Sequence, residues 1–273
     1  MRGVLEIWHL AKRVVRRTLV HKLADEAAKI AYFSFLSLFP LILILLALAG
    51  ILGGEAAFEW VMAQLVQVMP GEAADYMGRF VQDVTGVSRP DVLGLSLVFL
   101  LISASNAMVA MIGGLNVIFG ITEGRPWWRR NLLAVVTTLG GALFLLLGVS
   151  WMLGGPELLG RLGVGWIWTR LQRLLVFTLL AGILWLAYRF LPNHQRVPRP
   201  VALMAGAIVA TMLWAGVTQG LGFYFASFKR FASLYGVVTG ILVLLIWLQL
   251  TALTILFGAE LAATIDARSE TVG

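Results

Sequence analysis

The chain contains no cysteine and few charged residues. The absence of thiols excludes disulfides and thiolate metal sites. Charged residues make up 13% of the 273 residues, well below the roughly 25% that is typical of soluble domains, whereas hydrophobic residues make up 60%. A single globular core of this length cannot bury so much apolar surface. The composition therefore predicts a membrane protein.

Charges are so sparse that they divide the sequence into six long neutral runs, at 30–52, 92–119, 131–153, 174–188, 200–228 and 231–259. Five of these runs exceed the roughly 20 apolar residues that one helix needs to cross a bilayer. The fourth run is shorter, but Arg170, Arg173 and Arg189 can lay their aliphatic stems along the ends of a helix there. Continuous apolar runs exclude the alternating strands of a β-barrel. We predict an all-α bundle of six transmembrane helices within residues 30–265.

The distribution of basic residues predicts the orientation of this bundle, because cytoplasmic segments are enriched in lysine and arginine. Residues 1–29 carry seven basic and three acidic side chains, whereas the connection 53–91 carries six acidic side chains and only Arg79 and Arg89. With six spans, both termini are predicted to be cytoplasmic, in a bacterial inner membrane. Two outer connections disagree with this assignment, since one carries Arg161, Arg170 and Arg173 and the other Lys229 and Arg230.

Three further segments are predicted around the spans. Residues 1–29 place Trp8, Val15 and Leu19 on one stripe beside arginines, which is typical of an interfacial helix. Residues 53–91 show helical spacing on both sides of Pro70-Gly71, which predicts two short helices on the outer face. Residues 266–273 are predicted to form a short cytoplasmic tail. The 29 residues before the first apolar run are longer than an ordinary signal-peptide n-region, so we expect a retained first span.

The sequence gives no positive signal for catalysis or for nucleic-acid binding. His9, His21 and His194 lie far apart, and none belongs to an H-x-H or HExxH arrangement. We therefore expect no enzyme, metal or cofactor. The formal net charge of +7 lies along the membrane edges, where basic side chains match anionic headgroups. We expect membrane lipids, in particular anionic ones, as partners, and no nucleic acid.

Polar side chains interrupt the predicted spans. The stretch ISASNAMVAMIGGLN, residues 102–116, lies inside the second run, where an unpartnered amide costs several kcal/mol. Such groups either hydrogen-bond neighbouring helices or line a polar pathway. The residues predicted to form this polar pathway are Ser103, Ser105, Asn106, Asn116, Gln219 and Gln249. We expect Asn106 to face the bundle interior, and the helix to tilt or bend around Gly113-Gly114 because the run is longer than the bilayer core.

A second polar group is predicted at the cytoplasmic ends of the spans. Glu260 lies in an apolar stretch, FGAEL, so its carboxylate requires a partner. We predict a polar knot, either a structural clasp or a gate, formed by Asp25, Lys29, Glu123, Arg125 and Glu260.

Three stretches in this order carry a family resemblance. They are DEAAKIAYFSFLSLFPLILIL, LNVIFGITEGRPWWRRN and YGVVTGILVLLIWLQLTALTILFGAELAATID, and the W-x(10)-GAEL pattern from Trp247 to Leu261 is the most specific part. Over about residues 15–267 the chain resembles the YihY/virulence factor BrkB family of bacterial inner-membrane proteins, once labelled ribonuclease BN. The resemblance implies six helices and a role connected with serum resistance, envelope lipids or small-solute export. Phe119 and Gln249 stand where the family pattern often has tyrosine.

Together, the resemblance and the residues lead to one functional hypothesis and two alternatives. The hypothesis is an inner-membrane protein that transports or flips an envelope lipid or another anionic amphiphile. The alternatives are an exporter of a small polar solute and a non-transporting scaffold for envelope assembly.

Overall fold

The structure, a computed structural model, describes residues 2–37, 90–141, 165–194, 196–227 and 237–270. All regular secondary structure in these ranges is helical, as predicted. The segments are α1 (Arg2–Val20), α2 (23–37), α3 (Pro90–Phe119), α4 (127–141), α5 (Gly165–Phe190), α6 (Pro200–Ser227) and α7 (Val237–Glu270).

Three of the described helices are long and apolar enough to cross a membrane. These spans are Leu101–Ile118 in α3, Pro200–Phe223 in α6 and Ile241–Ala267 in α7, and α5 contains the shorter apolar segment Leu174–Phe190. They coincide with the second, fifth, sixth and fourth predicted runs. The first and third runs begin in α2 and α4 and continue outside the described residues, so the count of six stays a prediction.

Local sequence explains where several helices begin and end. Gly120 adopts a left-handed conformation (φ 66°), and the N–H groups of Gly120 and Ile121 donate to the carbonyls of Val117 and Asn116. This Schellman arrangement ends α3. Pro200 is the first residue of α6, where its missing N–H leaves no hydrogen bond unmade.

The predicted single helix over residues 1–29 is broken in the structure. Helix α1 ends at Val20, and Lys22 takes a left-handed conformation (φ 50°) before α2 begins. Residues 23–29 therefore belong to the helix that continues toward the first apolar run. A periodic stripe of apolar residues does not reveal such a break, because the periodicity resumes on its other side.

Helices α6 and α7 meet at two glycines. A Cβ added to Gly206 or to Gly258 would collide with the carbonyl oxygen of the other glycine, and Ala210 and Ala262 flank the contact. Small residues at this spacing allow two helix backbones to approach closely. Next to this contact, the Tyr188 hydroxyl of α5 donates to the carbonyl oxygen of Ile255 at 2.6 Å.

The predicted outer helices and the predicted C-terminal tail compare differently with the structure. Residues 53–89 of the predicted outer helices lie outside the described residues, and Pro90 and Asp91 form the first turn of α3. The predicted tail begins inside a helix, because α7 continues to Glu270.

Candidate functional site: a buried carboxylate, a loop clasp and mid-span polar groups

Several chain segments converge at one end of the bundle, which we call the α1 end. It comprises α1, the final residues of α3, α5 and α7, and the loops 120–126 and 191–199. The Arg199 N–H donates to Asp266 Oδ1 at 2.9 Å, which joins the start of α6 to the last part of α7.

Glu260 of α7 is the buried anion of the α1 end. Its side chain is 0% exposed, and its two oxygens lie 2.5 Å from Arg17 Nε and 2.7 Å from His21 Nδ1. Arg17 and His21 are four residues apart, which places both side chains on one face of a helical turn. A buried carboxylate without a cation would be strongly unfavourable, so this pairing fixes α1 against α7.

Arg17 also contacts a third helix. Its Nη2 donates to the carbonyl oxygen of Ile118 at 3.1 Å, near the end of α3, where C-terminal carbonyls lack partners within the helix. Glu260 Oε1 receives no aligned hydrogen bond from the described residues despite its short distance to Arg17 Nε. We therefore describe this contact as an ion pair rather than a directed hydrogen bond, and His21 as the aligned partner.

A second polar cluster joins the two loops. Glu123 accepts hydrogen bonds from the Arg125 side chain at 2.8 and 3.0 Å and from Asn116 Nδ2 at 2.8 Å. Arg125 Nη2 donates to the Leu191 carbonyl at 2.8 Å, and Asn116 Oδ1 accepts from the Asn193 N–H at 3.1 Å. The hydrogen bonds from Arg125 hold the pKa of Glu123 below its ordinary value. We call these five residues the loop clasp.

His194 lies beside the loop clasp. Its Nε2 is 2.9 Å from the Tyr188 carbonyl oxygen, to which it donates, and its ring meets the Phe119 ring edge-on at 4.9 Å. Burial lowers the pKa of His194 and the charge of Arg125 adds to that effect, whereas the Tyr188 carbonyl and Asp266 oppose it. The lowered pKa favours the neutral imidazole in the folded protein.

The five residues predicted for one polar knot are divided among separate places. Glu260 pairs with Arg17 and His21, while Glu123 and Arg125 belong to the loop clasp. Lys29 pairs with Glu26 on the surface of α2 at 2.7 Å, and Asp25 is exposed. The partners predicted for Glu260 were therefore wrong. Depth along the spans does not fix the direction of a side chain, and α1 approaches Glu260 more closely than α2 does.

The predicted polar-pathway residues also occupy different environments. Asn116 forms part of the loop clasp, and Gln219 lies on the exposed surface of α6. Ser103 is buried and donates to the Phe99 carbonyl of its own helix at 2.8 Å. Ser105 is buried with no hydrogen-bond partner among the described residues, and Asn106 and Gln249 are half-buried. Three of the six residues, Ser105, Asn106 and Gln249, therefore remain candidates for a mid-span site.

Two contacts establish how α3 and α7 are aligned. A Cβ added to Gly114 would lie 3.2 Å from Leu256 Cδ2, and Arg17 bridges Ile118 to Glu260. Gly114 and Leu256 are separated by the same number of positions as Ile118 and Glu260. Helices α3 and α7 therefore run side by side in the same direction. This alignment places Ser105, Asn106, Gln249 and Thr251 within about 6 Å of one another in depth. Thr251 Oγ1 is a further buried hydroxyl with no partner in the described chain. We call these four residues the mid-span polar group.

Helix α3 is continuous across Gly113-Gly114. Gly114 contacts Leu256 of α7 and so permits close packing of α3 against α7, whereas Gly113 faces open space. The tilt or bend expected around these glycines stays a prediction.

Sequence reasoning missed Arg17 and His21 as partners of Glu260, and Gly206 and Gly258 as the contact between α6 and α7. Signals for both were present. Arg17 and His21 have the four-residue spacing of one helix face, and Ala202, Gly206 and Ala210 form a small-residue repeat. The described residues contain no group of three or more histidine or acidic side chains placed to hold a metal ion.

Comparison with known proteins assigns the chain to a group of membrane proteins. Residues 14–272 match the family model described as virulence factor BrkB. The chain is 27% identical to the ribonuclease-like protein YfkH of Bacillus subtilis (strain 168), over 95% of this chain and 96% of that protein. It is 30% identical to a UPF0761 membrane protein of Tolumonas auensis, over 92% of this chain and 83% of that protein.

A UPF0761 membrane protein of Rhodospirillum centenum is also 30% identical, over 88% of this chain. The match covers 53% of that longer relative. No solved structure matches the chain.

Proposed function

The chain belongs to the virulence factor BrkB family, and from this premise we propose that it is an inner-membrane protein that moves an anionic amphiphile, such as an envelope lipid, between leaflets or out of the membrane. In the proposed orientation the α1 end is cytoplasmic. The headgroup travels past the mid-span polar group while the acyl chains stay in the surrounding lipid.

The unused hydrogen-bonding capacity of the mid-span polar group is the observation that carries this proposal. Ser105 Oγ and Thr251 Oγ1 are buried without a partner in the described chain, which costs about 1–3 kcal/mol for each group. By contrast, the buried hydroxyls of Thr211 and Thr264 bond to their own helices. Polar atoms without protein partners are available to a hydrated or polar ligand.

Exposed aromatic and basic side chains in and beside the α1 end support an anionic amphiphile. Trp127 and Trp128 are 74% and 54% exposed at the start of α4, and the Arg129 guanidinium lies over the Trp128 ring at 5.0 Å. Arg196 and Arg199 are exposed in the neighbouring loop. Tryptophan and arginine are the side chains that typically lie at headgroup level.

One observation favours the scaffold alternative. The direct backbone contact of Gly206 with Gly258 makes α6 and α7 a tightly packed pair, as expected for helices that stay together. A scaffold requires this packing but gives no role to the unpartnered hydroxyls of Ser105 and Thr251.

Translocation of a headgroup-labelled phosphatidylglycerol in proteoliposomes, with and without an imposed proton gradient, tests the proposal. The purified protein is expected to increase the translocation rate over that of protein-free vesicles. Asn106→Leu and Gln249→Leu should lower this rate per folded molecule, whereas Gln219→Leu, an amide removed from the exposed surface of α6, should not. A rate equal to that of empty vesicles contradicts lipid movement. Loss of thermal stability in Asn106→Leu with unchanged translocation would assign Asn106 to helix packing, whereas the scaffold requires that the wild-type protein itself gives no translocation.

A further inference from the structure

Helix α1 presents two different faces. Val14 is buried, and Arg17 and His21 point to Glu260, so these residues form the face that contacts the bundle. Trp8, Val15 and Leu19 are 67%, 54% and 73% exposed. At 3.6 residues per turn these three side chains form one stripe, which lies roughly 150° around the helix from the bundle-facing side. The apolar stripe of α1 is therefore not covered by the described part of the bundle.

The exposed stripe is bordered by cations. Lys12 and Arg16 lie within roughly 80° of the stripe on one side of it and are exposed, and Arg13, also exposed, lies farther around α1 toward Arg17. The described side chains of α1, from Trp8 onward, include no acidic residue. An apolar stripe flanked by lysine and arginine is complementary to a bilayer surface with anionic headgroups.

The attachment of α1 to Glu260 places the stripe at the edge of the membrane. Glu260 lies near the end of the span Ile241–Ala267, and Arg17 also contacts the last turn of the α3 helix through Ile118. The turn at Lys22 fixes the start of α2 only two residues beyond α1. A helix held in this way lies alongside the ends of two spans, at headgroup depth.

We infer that α1 is a two-sided arm, whose Trp8–Val15–Leu19 stripe binds the surface of an anionic phospholipid bilayer while Arg17 and His21 hold its other face to Glu260 of α7. The arm links the charge of the bilayer to the position of α7. This inference is independent of what the bundle transports, because it concerns the resting attachment of α1.

The absence of cysteine makes a site-specific test direct. In the Leu19→Cys variant of the full chain, the introduced cysteine is the only thiol and is labelled with an environment-sensitive fluorophore. The labelled protein is placed in nanodiscs of phosphatidylcholine, either alone or mixed with phosphatidylglycerol. Quenching by lipid-borne quenchers reports contact of the stripe with the bilayer. We expect strong quenching in the anionic nanodiscs and weaker quenching in the neutral ones.

Charge removal from the arm provides the variant and its matched control. Lys12→Gln/Arg16→Gln should weaken the bilayer attachment of α1 roughly 30-fold, since each cation contributes about a fivefold factor at an anionic surface. Arg196→Gln/Arg199→Gln removes the same charge from the loop 191–199 and should leave the quenching unchanged. Monodisperse elution in detergent identifies folded protein for each variant.

Removing the anchor tests the other face of the arm. Glu260→Gln should allow the label at Leu19 to sample water even in anionic nanodiscs, and so reduce its quenching. Quenching that is equal in neutral and anionic nanodiscs would overturn the role of lipid charge. A label that stays in contact with water in both would overturn bilayer docking, and label-to-label contact between two copies would assign the stripe to a self-interface instead.

Discussion

The guanidinium of Arg17 lies 2.5 Å from the fully buried carboxylate of Glu260, although 243 positions separate the two residues in the sequence. This ion pair joins the first described helix to the last. Together with the 2.7 Å contact of His21, it surrounds the buried carboxylate of Glu260 with two basic neighbours.

Replacing Glu260 with glutamine is expected to destabilise the protein. Breaking a buried ion pair by removing one partner costs about 3–5 kcal/mol, and we expect the lower part of that range because Arg17 is 34% exposed. Thermal unfolding in detergent measures the effect. The matched control is Glu26→Gln, which breaks the surface pair with Lys29 and should change stability by less than about 1 kcal/mol. Equal effects of the two variants would contradict the role of Glu260 as an anchor.

The contact of α6 with α7 predicts that alanine substitution destabilises the protein at some glycines and not at others. Gly258→Ala places a methyl group against the Gly206 carbonyl, Ala210 and the Tyr188 hydroxyl, and overpacking of this kind costs about 1–3 kcal/mol. Gly216→Ala, at a position of α6 with open space around its Cβ, should be neutral or slightly stabilising, because alanine favours a helix over glycine. Stability measurements that rank the two variants in the opposite order would show that the helices do not cross at Gly258.

Stability is expected to fall as pH drops below the ordinary histidine pKa of 6.5. His194 has a lowered pKa in the folded protein, mainly through burial, so the unfolded chain binds the proton first. Its contribution is fully present above about pH 6.5 and is lost as pH falls through the lower folded value. Thermal unfolding between neutral pH and about pH 5 should show this slope. In His194→Asn the stability should depend less on pH over this range. An unchanged pH dependence in that variant would assign the effect to another group.

The orientation of the bundle can be measured by single-cysteine labelling, because the native chain has no thiol. Arg199→Cys and Ala267→Cys lie at the α1 end and should react with impermeant reagents only from the cytoplasm. Glu72→Cys, in the connection 53–91, should react only from the outside. Labelling of Glu72→Cys from the cytoplasm would invalidate the predicted topology.

The sequence was sufficient to predict the long apolar helices that the structure describes, but not all of their contacts. The runs 92–119 and 200–228 became α3 and α6 almost unchanged, because length and apolar content determine a membrane span. The need of Glu260 for a cationic partner also followed from the energy of a buried carboxylate. The sequence did not show that these partners would be Arg17 and His21 rather than Lys29, because the pairing depends on the turn at Lys22 and the rotation of α1.

The polar residues within the spans illustrate the same limit. A sequence shows that Asn116, Gln219 and Gln249 are polar groups in apolar runs, but not which way each points. The structure places Asn116 in the loop clasp, Gln219 on the surface and Gln249 at the depth of Thr251. That the buried hydroxyls of Ser105 and Thr251 lack a partner in the described chain, as that of Thr138 in α4 also does, became known only from the hydrogen bonds of the structure.

The central claim, that the mid-span polar group contacts a transported headgroup, is tested most directly by Thr251→Val. The measurement is the translocation rate of labelled phosphatidylglycerol per folded molecule, together with the melting temperature. Thr211→Val is the control, since the Thr211 hydroxyl already bonds to the Ala207 carbonyl of its own helix at 2.8 Å.

Because the Thr251 hydroxyl has no partner in the described chain, its removal should leave the melting temperature unchanged or raise it. Translocation by Thr251→Val is expected to fall, while translocation by Thr211→Val is not. Undiminished translocation by Thr251→Val, in protein of native stability, would show that the mid-span polar group does not contact the transported headgroup.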